Sequence, residues 1–170
     1  MPTRTFARFA PAALLCLALL AGCYETEKEV GPADQAKVDP RLVGDWEFRD
    51  THSGATLLTV RNFDGRQYYL EWSSIGEEPH RASAYVAEAG GAAFAHVREL
   101  TPDGALAPKH SLLRVSLTPD GRIALRFLND KFFEPRDVST SQKLRSIVEH
   151  NAGNDAMYDD ETFYGFRKSA

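Results

Sequence analysis

From Pro40 onward, apolar and polar residues alternate along the chain, and turn signals interrupt the alternation at short intervals. Thr56–Asn62 sets Thr56, Leu58 and Val60 against Leu57, Thr59 and Arg61, and Gln67–Ser74 returns with Tyr68, Leu70 and Trp72 on one face. Between them Phe63-Asp64-Gly65-Arg66 supplies an Asp-Gly turn, a strong hairpin signal because both central residues tolerate positive φ. His80–Ala89 and Ala92–Leu100 flank Gly90-Gly91, while Ser111–Thr118 and Arg122–Asn129 flank Pro119-Asp120-Gly121. With Gly44–Asp50 before them and Thr162–Lys168 after them, the pattern predicts eight strands. Only Ser139–Asn151 has helical spacing, with Leu144, Ile147 and Val148 at i, i+3 and i+4. Ser139, Thr140 or Ser141 can cap its start and Gly153 can end it. Successive hairpins, one amphipathic helix and a final strand predict a mainly β domain over 40–170. The expected fold is a single antiparallel up-and-down barrel of about eight strands, whose closure removes exposed edges.

The amino-terminal segment has another pattern. Arg4 and Arg8 precede Ala12–Ala21, an unbroken apolar run of ten residues. A membrane-spanning helix needs about 20 such residues, so the run fits the central region of a secretory signal over 1–22. Leu20-Ala21-Gly22-Cys23 then resembles the lipobox of bacterial lipoproteins. By that resemblance Leu20, Ala21 and Gly22 are the signal-peptidase recognition sequence, and the Cys23 sulfur carries a diacylglyceryl group. The alternative is an ordinary secreted chain with a coincidental Cys23. Tyr24–Asp39 is charge-rich, lacks apolar periodicity and centres on Gly31-Pro32. Residues 23–39 therefore read as a lipidated cysteine with a flexible tether, typically spanning ~20–25 Å as a coil.

Composition narrows the function classes. The 170 residues are 43% hydrophobic and 26% charged, ordinary for a globular protein. A formal charge of −4, or −6 once Arg4 and Arg8 are removed with a signal, argues against nucleic acid as a partner. The two cysteines are Cys16 and Cys23. The first lies in the signal and the second would be acylated, so the 40–170 domain has neither disulfide nor thiolate chemistry. Several acyl chains anchor a protein durably where one does not. Tyr24 after the cysteine, in place of Asp, favours the outer membrane by resemblance to the enterobacterial sorting rule.

Leu42-Val43-Gly44-Asp45-Trp46 resembles the Gly-x-Trp that opens the first strand of lipocalins and other calycin barrels. The resemblance implies that Trp46 plugs one end of the barrel and that a basic residue on the last strand packs over its ring. Phe163-Tyr164-Gly165-Phe166-Arg167 offers Arg167 for that role, with Lys168 second. A cation over an indole contributes about 0.5–2 kcal/mol. The whole order, over roughly 40–168, resembles small bacterial lipoproteins with a lipocalin-like domain. A helix before the last strand departs from familiar lipocalins, whose long helix follows the eighth strand.

Candidate chemistry is sparse. There is neither a nucleotide-binding glycine motif nor a G-x-S-x-G elbow. His52, His80, His96, His110 and His150 show no metal-ligand spacing, although His96 shares the Phe94/His96/Arg98 row that could face a barrel interior. Asp155 and Asp159-Asp160-Glu161 gather carboxylates without the spacing of an EF-hand, and read as a solvated acidic loop. Arg114 and Arg126 lie at similar depth on neighbouring strands, either on the outer wall or facing inward to bind an anion. No catalytic residue, metal ligand or cofactor site is assigned. An eight-stranded barrel either fills itself or holds one small ligand, and Tyr68, Leu70, Trp72, Phe94 and Phe127 are the candidate lining. Two classes remain: an envelope protein binding a small apolar or amphipathic ligand, or a filled barrel that recognises an envelope protein through its outer face.

Overall fold

The computed structural model describes residues 24–50 and 54–168. The expected signal over 1–22, Cys23 and His52 lie outside the described residues. Nine strands form one sheet: β1 (Glu25–Thr26), β2 (Gly44–Asp50), β3 (Gly54–Asn62), β4 (Tyr68–Ser74), β5 (His80–Ala89), β6 (Ala92–Glu99), β7 (His110–Leu117), β8 (Ile123–Phe127) and β9 (Phe163–Arg167). Strands β2 to β9 pair antiparallel in chain order, and β9 pairs back to β2, closing an eight-stranded up-and-down barrel. The extra strand β1 pairs with His110 and Ser111 of β7, above the stretch Leu113–Leu117 that pairs with β8. Helices α1 (Asp130–Phe133) and α2 (Ser141–Asn151) lie between β8 and β9.

Local chemistry accounts for the elements. At the first turn the Asp64 carboxylate accepts from the Arg66 and Gln67 amides at 2.9 and 2.7 Å, leaving Gly65 free for a φ of +84°. Thr140 caps α2 by accepting from the Lys143 amide at 3.2 Å. Leu144 and Val148 are the buried face of that helix. The helix docks on the β5–β6 turn so closely that a Cβ at Gly90 would lie 2.5 Å from the Glu149 carbonyl oxygen. Gly90 therefore serves both the turn, at φ +57°, and the helix contact.

Two cores lie on opposite sides of the barrel wall. Inside the barrel, Trp46, Val60, Tyr68, Ala95, Leu113 and Ile123 pack together. Outside it, outward residues of β6 and β7 such as Phe94 and Leu112 are covered by α1, α2 and the amino-terminal segment.

That second core corrects the expectation of a flexible tether for residues 24–39. Tyr24 is buried and stacks on Phe133 at 4.2 Å, and its amide donates to the Leu128 carbonyl at 3.1 Å. Val30 is fully buried, its carbonyl accepts from Arg145 of α2 at 2.8 Å, and the Glu29 amide donates to Ser141 at 3.0 Å. Most of the segment's charged residues are exposed, while Tyr24, Val30 and Ala36, six residues apart, pack inward. The segment is a strap, not a coil.

Candidate functional site: an apolar cavity in the barrel

The floor of the barrel is built from its first and last strands. Trp46 is fully buried, and its indole nitrogen donates to the Leu42 carbonyl at 2.9 Å. The Arg167 guanidinium lies 4.5 Å from the indole centroid and donates to the Val43 carbonyl at 2.9 Å and to that of Arg41. Gly44 makes this possible, because a Cβ there would stand 2.5 Å from the Arg167 Nη1. The glycine and tryptophan of Gly-x-Trp are thus a single packing device. Lys168, the second candidate, only donates its backbone amide to the Asp45 carbonyl.

Above this floor is a cavity of about 270 Å³. Leu58, Leu70, Val86, Val97, Leu125 and Phe127 face it and remain only partly buried, because the cavity leaves their surfaces uncovered. Tyr68, Leu70, Trp72 and Phe127 come together on its wall, as the alternation of β4 and β8 requires. Tyr68 also ties the strap to the barrel, its hydroxyl accepting from the Asp39 amide at 2.6 Å. Burial, opposed by that bond, raises the Tyr68 pKa.

Phe94 is a correction to the candidate lining. It lies in the outer core, fully buried beneath the strap and helices, on the face of β6 opposite Ala95 and Val97. Register explains it. Tyr68 pairs with Ala84 and Ala84 with Val97, so Val97 and Ala95 share the inner face and Phe94 points out.

At the end away from Trp46 the lining turns polar. Thr56 and Ser74 bond to each other at 3.0 Å. His80 stacks on Trp72 at 5.4 Å with the rings 8° from parallel. Glu77, Glu99 and Ser111 complete this rim, and the Glu99 Oε1 is buried without a hydrogen-bond partner. Sequence reasoning missed these groups because a polar residue at an inward position near a strand end resembles ordinary rim solvation.

The remaining candidates lie on the outer face. Arg114 and Arg126 form a cross-strand pair over the Tyr158 ring, at 5.7 and 4.6 Å. Asp155 pairs with Arg126 at 2.8 Å. Among the described residues no three His, Cys, Asp or Glu side chains converge as a metal site would need. His96 points out with Phe94, stacked on Tyr85 at 4.4 Å and 4.7 Å from His110. Burial first, then the neighbouring His110 and Arg98, pulls the His96 pKa down to about 3. Burial also lowers that of His110.

The site and fold define a class: a closed antiparallel barrel, stoppered at one end and hollow above the stopper. Compared with known protein families, with curated proteins and with solved structures, the chain finds no match in any of the three.

Proposed function

We propose that this chain is a lipid-anchored protein of the bacterial cell envelope that binds a small apolar or amphipathic molecule inside its barrel. The cavity carries the reading. A dry cavity of ~150 Å³ accepts benzene, so about 270 Å³ offers room for roughly eleven carbon atoms. The walls are apolar and, apart from the Tyr68 hydroxyl already bonded to the Asp39 amide, the polar side chains are at one end, the arrangement that orients an amphipathic guest.

Leu20-Ala21-Gly22-Cys23 supports the anchor. The packed strap alters its geometry: Tyr24 is seated against Leu112 and Leu128, so an acylated Cys23 would begin one residue from the barrel wall. A barrel so anchored rides against the bilayer instead of ~20–25 Å away. Outer-membrane placement follows from Tyr24 by the sorting resemblance.

A second reading, a tethered module that recognises an envelope protein, draws on the outer face of β9. Tyr164 and Phe166 are 43% and 51% exposed there, with Arg122 packed over both rings.

Native mass spectrometry of the chain released from its own membrane separates the two. A co-purifying small molecule lost on Trp72→Ala supports the cavity reading. Repeated absence of a small molecule, together with a stoichiometric protein partner lost on Tyr164→Ala, overturns it. For the anchor, Cys23→Ser should abolish acyl labelling and membrane fractionation while the barrel still folds; retained acyl labelling refutes it.

A further inference from the structure

We infer that the guest of this cavity carries a cationic or hydrogen-bond-donating head group, such as an amine, and that Glu99 receives it. The inference rests on the cavity-binding reading and names the chemistry of the guest's polar end.

Apart from the Tyr68 hydroxyl, which is engaged by the Asp39 amide, the polar side chains lining the cavity are on the rim side. Glu77 and Glu99 are carboxylates, Ser111 and the Thr56–Ser74 pair are hydroxyls, and His80 is stacked on Trp72. Among the described lining residues there is no lysine or arginine. Arg81, near the rim on β5, is engaged outside by Glu71 at 3.0 Å. Lys109 immediately precedes β7, but it is exposed and forms no ion pair with Glu99 among the described residues.

Glu99 is the distinctive member. It ends β6 in line with Ala95 and Val97, so its side chain shares their inner face. Its Oε1 is sheltered from solvent yet accepts no hydrogen bond. A buried acceptor left without a donor is costly, more so when it is charged. A guest whose tail occupies the apolar chamber and whose ammonium or hydroxyl reaches Glu99 would supply the missing donor. A guest with a carboxylate or phosphate head would bring no donor to the Glu99 Oε1 and would set a second acceptor against it.

The test uses three probes of one chain length, decylamine, decanol and decanoate. Each is titrated at neutral pH against the full chain kept soluble by an amphipathic polymer. Tryptophan emission is the readout, and Trp72→Phe identifies the component that comes from the cavity. Val86→Phe, which fills the chamber, controls for uptake by the polymer.

The expected order is decylamine tightest, decanol next and decanoate weakest, with about tenfold between amine and acid, the effect of one charge-assisted hydrogen bond. Glu99→Gln should bring amine and acid within about twofold, whereas Glu77→Gln should change the preference less. Decanoate binding as tightly as decylamine to the unaltered chain overturns the inference while the cavity reading stands. An amine preference that survives Glu99→Gln overturns the role of Glu99. If no probe binds, or if binding persists unchanged in Val86→Phe, the cavity reading falls and this inference with it.

Discussion

Acidification from pH 6.5 to pH 5 should weaken the attachment of the amino-terminal strap, through two imidazoles buried beneath it. His96 is 1% exposed and His110 3% exposed. The Val30 amide donates to the His96 Nε2 at 3.4 Å, so the proton of the neutral ring is assigned to Nδ1, which is buried without a partner. His110 Nε2 lies 3.0 Å from the Lys28 carbonyl and serves as the donor. Protonating His96 would aim a new N–H at the Val30 amide and place a cation in the outer core. The charged groups around it are Arg98 on the same strand, His110 on β7 and Glu29 on the strap, with the Tyr85 ring packed against its face.

The sign follows from linkage. A histidine whose folded pKa lies below its unfolded value of ~6.5 binds fewer protons when folded, so stability falls as pH drops through that window. With the His96 pKa at about 3, the loss approaches ~1.4 kcal/mol per pH unit below 6.5 and reaches about 2 kcal/mol by pH 5. His110, also shifted downward, adds to it. Among the carboxylates, Asp159 is held above its ordinary value by burial and by Asp160 and Asp130, so its neutralisation on acidification opposes the histidine slope. The aspartates held down by hydrogen bonds and neighbouring charges, including Asp45, Asp64 and Asp120, lose their contribution only as pH falls below their unfolded value of ~4. Urea unfolding across pH 7 to 5, repeated with His96→Phe, measures the slope directly. The variant should be less stable at pH 7, having lost the acceptor for Val30, yet flatter with pH. A native protein equally stable at pH 6.5 and 5, or a variant that keeps the full slope, would refute the reasoning.

Three further substitutions probe the two sides of the wall. Gly44→Ala should cost about 1–3 kcal/mol, since its Cβ would collide with the Arg167 Nη1 and its φ of +151° strains an L residue; urea midpoints measure it. Phe94→Ala should cost about 3–5 kcal/mol by opening a hole in the outer core, while leaving decylamine titration of the barrel unchanged within about twofold. Leu70→Ala should show the reverse: a smaller loss of stability, because Leu70 already faces open space, and decylamine binding weakened about tenfold or more.

The barrel was legible because its determinants are local. Asp64-Gly65, Gly90-Gly91 and Asp120-Gly121 mark hairpins, and alternation marks which residues share a face. Alternation does not say which face is inside when both are buried. Along Ala92–Glu99 the outward Phe94 and His96 are as buried as the inward Ala95. The answer was nevertheless available in the register. Tyr68 and Leu70 face in, the two turns carry that parity through Ala84 to Val97, and Phe94 must then face out. The strap was not legible at all, because Tyr24, Val30 and Ala36 bury at a spacing of six, which matches neither the period of a strand nor that of a helix. Glu99 became conspicuous only once its missing partner could be seen.

The outer core also explains how so small a barrel can remain hollow. Unfilled space of about 270 Å³, at ~24 cal/mol per Å³, forgoes about 6 kcal/mol of packing, comparable to the whole stability margin of a typical domain. Phe133, Leu144 and Val148 are each buried to within 2% outside the barrel, and three such side chains at ~2 kcal/mol apiece restore that amount. The helices and the strap therefore do more than decorate the wall. They move hydrophobic stabilisation from the interior to the exterior and leave the chamber free for a guest. A barrel stripped of its strap should consequently be harmed far beyond the loss of two β1 residues, since Val30 and Tyr24 would leave the core that compensates for the cavity. Val30→Asp tests this in the full chain. It should lower the urea midpoint as a core substitution does, and an excess of decylamine, by filling the chamber, should recover part of the loss. If decylamine binds but restores no stability, occupancy of the chamber and stability are not linked as argued.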